Sequence, residues 1–240
     1  MMTMKNFQLG RYTGLNIKSF STNTKDEEID EALAYLRNAA AEQEAECLGV
    51  PAFHVQEQSA ERPLSPGEIQ EIAPGLHTLD ELKEKLREVI HWHKVNRQKQ
   101  ADTLILFQRL IAECTYEYDA EELDKGAQVV YKEFAAELRA NDGMEMIVYL
   151  IGKKLTAEEF LLECREEAAR RIARNAILDL VITREGIQLT EQEKQHLSEK
   201  LEKNIGQPQP EGQEAMLSEA ETFLLRHKAT EYLLQANMIN

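Results

Sequence analysis

The sequence predicts an all-α protein with one short strand near the N-terminus. Two observations carry most of that expectation. A Ser, Thr or Asp followed three residues later by Glu marks a helix start, and the pattern recurs at Ser65/Glu68, Thr78/Glu81, Asp119/Glu122, Thr156/Glu159 and Thr190/Glu193. Between these starts, apolar residues repeat at three- and four-residue spacing over long runs. Period-two alternation is visible from Leu15 to Phe20, and there a single strand is expected.

In chain order, Phe7, Leu9, Tyr12, Leu15, Ile17 and Phe20 sit among Gly10 and Gly14. Thr24 with Glu27 then starts a helix through Ile29, Leu33 and Leu36 that ends near Cys47. From Leu48 to Pro66 the chain turns to Pro, Gly and polar residues, which reads as a loop. Pro66, at the first helical position after Ser65, favours a new helix there. The helix from Leu79 carries Leu82, Leu86, Ile90, Val95, Leu104, Leu106 and Leu110, a length suited to an extended strut. Asp119 starts a helix reaching about Ala140, and Asn141-Asp142-Gly143 is a turn. The apolar run from Met144 to Ile151 follows, and Gly152-Lys153-Lys154 reads as a further turn.

The most informative stretch runs from Lys154 to Gly186. Thr156 and Glu159 form a capping box, Leu155 and Phe160 can pack as a staple around it, and Gly186 supplies the stop. Leu161, Cys164, Ala168, Ala169, Ile172 and Ala176 fall on one side, with Glu163, Glu166, Glu167, Arg170, Arg171 and Arg174 opposite. Glu166/Arg170 and Glu167/Arg171 are i,i+4 pairs in the favourable order. From Ala176 to Ile182 the helix is apolar nearly all round, so that end should be buried where several helices meet. A charged helix from Thr190 to about Asn204, a break over Gly206 to Gly212, and a last helix with Met216, Leu217, Phe223, Leu224, Ala229, Leu233 and Leu234 complete the chain.

The segment from Thr156 to Glu193 closely resembles the central helices of the C-terminal chaperone domain of bacterial trigger factor. In that family a threonine-capped Glu/Arg helix runs into an apolar stretch, then Glu-Gly-Ile and a second threonine, matched here by Glu185, Gly186, Ile187 and Thr190. Further matches are LGRYTGLNI with its following acidic helix, His77 to Glu88, the link of Tyr116, Tyr118 and Asp119 to Leu123, and the arm tip of Tyr149, Leu150, Gly152, Lys153 and Thr156. Two departures stand out: Ala120 replaces a usual proline, and Met144, Met146, Ile147 and Val148 make the tip more apolar.

The resemblance implies one trigger factor C-terminal-like domain over residues 1–240: strand and linker helix in 1–48, a short loop in 49–66, and a helical body with two-helix arms in 67–240. The implied body is a cradle similar to the SurA peptide-binding body. Where trigger factor carries an FKBP-like prolyl isomerase, only about twenty residues stand here, too few for a β-sheet domain. No isomerase activity is therefore expected. The family's ribosome-docking loop is not found either, so ribosome docking is not expected.

The 240 residues are 42% apolar, enough for a substantial core. Against 43 Asp and Glu stand 28 Lys and Arg, and the net charge of -15 repels nucleic acid and anionic lipid. The sequence lacks the roughly eighteen consecutive apolar residues of a membrane span and a signal peptide's apolar region, pointing to a cytoplasmic protein. Cys47, Cys114 and Cys164 lie far apart, without a Cys-x-x-Cys, and are expected as buried hydrophobes in a reducing compartment. His91 and His93, two residues apart on a helix, point to different sides and cannot share a metal. No nucleotide, metal or nucleophile motif is present, so neither a cofactor nor an enzyme is expected.

The remaining candidate is the arm tip: Met144, Met146, Ile147, Val148, Tyr149, Ile151 and, one turn into the next helix, Phe160. Two readings stay open. The run packs wholly on its own hairpin, or part of it stays open and grips apolar segments of unfolded or nascent polypeptides, for which methionine-rich surfaces are suited. The first functional expectation is an ATP-independent holdase, the alternative an adaptor binding one folded partner through the same surface. A homodimer that hides such patches is compatible with either.

Overall fold

Five helix starts in this chain are built from side chains that accept the amide hydrogens a first turn leaves unpaired. In the computed structural model, which describes residues 5–19, 22–48, 63–205 and 210–239, the elements run β1 (Lys5–Gln8), β2 (Ile17–Lys18), α1 (Asp26–Leu48), α2 (Pro66–Ile72), α3 (Leu79–Ala112), β3 (Thr115–Glu117), α4 (Ala120–Asp142), α5 (Met146–Lys153), α6 (Ala157–Glu185), α7 (Glu191–Ile205), α8 (Pro210–Asn237) and β4 (Met238–Ile239). The fold is mostly helical, as expected. The predicted loop over residues 49–66 lies largely outside the described residues.

Ser65, Thr78, Thr156 and Thr190 each accept the amide of a Glu three residues on, whose carboxylate takes the capping residue's own amide. Asp119 accepts from the amides of Glu121 and Glu122. The expected Thr24/Glu27 start is corrected by one residue. Glu28, not Glu27, reaches back, to the Lys25 amide at 2.8 Å, because its carboxylate is also held by Lys94 at 2.6 Å. Three further boundaries move. α4 runs through Asn141 and Asp142 before Gly143 turns left-handed. α8 already starts at Pro210, inside the expected break, where a missing N–H costs nothing, and the rest of that break, 206–209, lies outside the described residues. Gly152 and Lys153 are still helical, the turn falling on Lys154 alone.

The chain divides into two compact units, Met1–Lys18 with Asp102–Asn240, and Ser19–Ala101. In the second, Ile29 and Leu33 of α1, Leu64, Ile69 of α2 and Leu82 of α3 form a core. Arg87 bridges Asp26 and Glu84 across its surface.

The first unit holds two apolar clusters. One gathers Leu106, Phe107 and Leu110 of α3, Ile177, Leu178 and Val181 of α6, and Ala229, Leu233 and Leu234 of α8 around Leu9 and Ile17. The all-round apolar end of α6 is thus buried among several elements, as its composition requires. Upstream on α6 the buried line is Phe160, Cys164, Ala168, Ile172 and Ala173, while Leu161, Ala169 and Ala176 of the predicted face are only half-buried. The face is rotated toward α4, where Phe160, Cys164 and Ala168 share a cluster with Ala127 and Val130 and Arg171 reaches Glu133.

Among the described residues, four short strands stand where one was expected. β1 pairs antiparallel with β3, Lys5 opposite Glu117 and Gln8 opposite Thr115, and β2 pairs parallel with β4, Ile17 with Met238 and Lys18 with Ile239. Around them the chain's two ends are fastened together. Buried Asn237 donates to the Tyr12 and Leu233 carbonyls and accepts the Leu15 amide, while the Gly14 amide donates to the Ala236 carbonyl. Gly10 passes so close to α3 that a Cβ there would stand 2.3 Å from the Glu113 carbonyl oxygen, leaving room for no other residue.

α7 is fastened to α8 mainly by charge. Lys228 donates to the Gln188 carbonyl and to both oxygens of Glu193, the residue that also caps α7. The Thr190 amide, then Lys228, pull the Glu193 carboxyl down to about 2 from an ordinary 4.5. A depressed carboxyl pKa stabilises the fold fully above the unfolded value and ceases to do so as pH falls through the folded one.

Two outcomes follow. Asn237→Ala should lower the unfolding free energy by about 2–3 kcal/mol, measured by urea denaturation, since it strands a buried amide and carbonyls. Amide exchange in α7 should quicken as pH falls from 4.5 toward 2, beyond the intrinsic pH dependence, and Glu193→Gln should remove that excess.

Candidate functional site

The site is built from two long helices and a short one. Between α4 and α6 the chain makes two left-handed turns. At Gly143 (φ 61°) the amide reaches the Arg139 carbonyl and the Met144 amide the Leu138 carbonyl, closing α4. At Lys154 (φ 58°) the Leu155 amide returns to the Leu150 carbonyl, closing α5. Glu145, just ahead of α5, is gripped by Arg139 through two bonds of 3.1 and 2.8 Å, which fixes where α5 starts. That guanidinium holds the Glu145 carboxyl below the usual carboxylate range.

α5 contains six large apolar or aromatic residues in eight positions and has packing partners on one side. Leu150 is buried, and Met146 and Tyr149 pack partly against the cluster of Ala127 and Val130 of α4 with Phe160, Cys164 and Ala168 of α6. The centre of that cluster is aromatic. Phe134 lies 5.0 Å from Tyr149 and 5.1 Å from Phe160, and Tyr131 lies 5.8 Å from Phe160, ring centre to ring centre. Such tilted and edge-on pairs add to simple burial.

The opposite side of α5 is open. Ile147 is 63% exposed, Val148 54% and Ile151 71%. Ile147 and Ile151 are one turn apart with Val148 beside them, so the three make one continuous aliphatic face. The reading in which the run packs wholly on its own hairpin is thereby corrected: Ile147, Val148 and Ile151 stay open because α5 has partners on one side. Of the remaining candidates, Met144 is half-buried after the Gly143 turn, and Phe160, 5% exposed, sits in the core beneath α5, with Leu155 packed on the same cluster.

Sequence reasoning passed over two open residues of this hairpin, Val129 of α4 and Leu162 of α6. The signal for Leu162 was present: Phe160, Leu161 and Leu162 are consecutive, and a helix with one buried stripe cannot cover all three. Val129 beside Val130 is the same case.

His91 faces the Thr22 carbonyl at 3.2 Å, while His93 lies edge-on to Trp92. Among the described residues no group of three His, Cys, Asp or Glu side chains could hold a metal ion. Cys114 is half-buried and donates to the Leu110 carbonyl, Cys164 is buried, and burial pushes both thiols up, away from the thiolate a nucleophile needs. The Cys47 side chain lies outside the described residues. No described helix is long and apolar enough to cross a membrane.

Comparison with known proteins bears on the same region. The sequence model described as "Bacterial trigger factor protein (TF) C-terminus" matches residues 78–235, and so takes in the whole hairpin. The chain is 26% identical over 157 residues to a curated protein named "Trigger factor" from Halothermothrix orenii, a match covering 65% of this chain and 36% of that one. The chain therefore spans about a third of the length of that relative. Among solved structures it is similar to a chain described as "Promiscuous Substrate Recognition in Folding and Assembly Activities of the Trigger Factor Chaperone", with a TM-score of 0.38, 20% identity, and coverage of 72% of this chain and 43% of that one.

Phe160→Ala should lower stability by about 3–5 kcal/mol and loosen α5 first. Hydrogen exchange should show the Met146–Lys153 amides losing protection before those of the α3, α6 and α8 cluster.

Proposed function

This chain belongs to the bacterial trigger factor C-terminal family, and we propose that it is a chaperone that holds apolar segments of unfolded or nascent polypeptides without ATP and without an enzymatic step. The observation that carries this reading is the aliphatic face of Ile147, Val148 and Ile151, left open while the other side of α5 is packed. Exposed patches of this kind mark interaction surfaces. An aliphatic face with no directional polar group selects for apolarity rather than for one sequence, which suits many clients.

Magnitude supports the same reading. Covering one such side chain contributes about 1.5–3 kcal/mol, and ordering the bound segment opposes part of it. Binding at this face alone is then weak and quickly reversed, and release needs no nucleotide hydrolysis. The net charge of -15 biases the clients toward basic segments. A cytoplasmic location belongs to the same proposal, and ribosome docking does not.

The test is light scattering from a chemically denatured client diluted into the protein. The parent chain should suppress aggregation at equimolar or modestly higher ratios. The Ile147→Ser, Val148→Ser, Ile151→Ser triple variant should keep its helix content and melting temperature, because it changes only open side chains, yet lose most of the suppression. Equal suppression by parent and variant would move the site elsewhere, and no suppression by the parent would overturn the chaperone reading.

A further inference from the structure

The residues of α3 at four-residue steps from Leu82 face its own unit. Leu82 is buried with Ile29, Leu33 and Ile69, Leu86 and Ile90 pack against that core, Lys94 holds Glu28 and the Asn23 carbonyl, and Gln98 donates to Ser19. Trp92, two residues past Ile90, therefore points to the other side of the helix. It is the chain's only tryptophan, and it stands 62% exposed, with Val89 at 39% and Val95 at 40%.

That outer side is ordered about Trp92. Val89 and Val95 stand three residues before and after it, and Lys85 and Lys99 seven before and after. All five share one stripe about four turns, or roughly 20 Å, long. Both lysines are exposed, and the bond from Lys85 to Glu88 is a pair open to water, which holds little and is readily exchanged. From Val89 to Ala101 the chain has Lys94, Arg97 and Lys99 but no Asp or Glu. The acidic surplus of the whole chain is carried elsewhere, and at physiological salt charges beyond about 8 Å are largely screened.

A tryptophan at the centre of an apolar strip with charges at its rim is the anatomy of a protein contact. A straight strip of this length suits a helix lying alongside it. The charges choose the helix. A second copy of the same stripe, laid antiparallel about Trp92, would set its Lys99 against Lys85, and laid parallel would set each lysine against its twin. We propose that the side of α3 from Lys85 to Lys99 docks an amphipathic helix of a partner protein, with aliphatic residues covering Trp92 and a carboxylate at each end meeting a lysine. The surface is made of other residues than the α5 face and stands or falls without it.

Trp92 is its own reporter. Two labelled helical peptides share a leucine stripe at three- and four-residue spacing, one carrying Glu and the other Lys seven residues to either side of the central leucine. The Glu peptide should move the tryptophan emission to shorter wavelength and shield it from acrylamide, and the Lys peptide should do neither. By fluorescence anisotropy, Trp92→Ala should bind the Glu peptide roughly tenfold more weakly at an unchanged melting temperature, and the Lys85→Glu, Lys99→Glu double variant should prefer the Lys peptide. Equal binding of both peptides by the parent, or binding of neither, would overturn the proposal. So would an emission that shifts with protein concentration before any peptide is added, which would make a second copy the occupant. The Ile147, Val148, Ile151 serine variant should bind the Glu peptide like the parent, and loss of binding there would assign the peptide to the α5 face and overturn docking on α3.

Discussion

A short helix between two long ones can turn only one of its sides toward them, and the candidate site follows from that constraint. α5 has six large apolar or aromatic residues in eight, more than one side can hold. Met146, Tyr149 and Leu150 go inward, and what they meet is an aromatic centre of Phe134, Tyr131 and Phe160. Once those three are placed, helical geometry sends Ile147, Val148 and Ile151 out. The exposed face is thus the geometric remainder of a well-packed interior, and it is held as firmly as that interior is.

Firmness comes from both ends of α5. The left-handed turns at Gly143 and Lys154 set the reversal, and the Arg139/Glu145 pair fixes the entry. Lys154 adopts that backbone without being glycine, which costs strain that L residues rarely carry. Farther along, Arg171 ties α6 to Glu133 of α4, and Tyr118 donates to the Ala169 carbonyl of α6. The hairpin is supported along its length rather than only at its base, so its open face is presented on rigid elements.

The second cluster of the same unit does different work. Its helices come from positions far apart in the chain, and the N-terminal segment is woven into them through Leu9, Ile17 and the bonds of Asn237. A single buried amide satisfies groups from both ends of the sequence. Removing it would cost more than one hydrogen bond, because each partner left behind is buried too.

Local signals were legible in the sequence, and they were legible for a physical reason. A capping box needs only residues three apart, so Ser65, Thr78, Thr156 and Thr190 announced their helices correctly, and Gly186 its stop. The composition of α5 likewise marked Met144 to Ile151 as an apolar run, but left open whether any of it would stay exposed. Which residues would do so was not legible, because that depends on where α4 and α6 lie. Thr24/Glu27 failed as a start because Lys94, far away in sequence, pulls Glu28 into the role, and of the four short strands only the stretch holding β2 was expected, because each pairs with a segment distant in sequence. The sequence by itself determined the helices and their apolar excess, through interactions a few residues long. Tertiary structure alone decided that Phe160 is floor and Ile151 is face, since burial is a property of neighbours brought together from a distance.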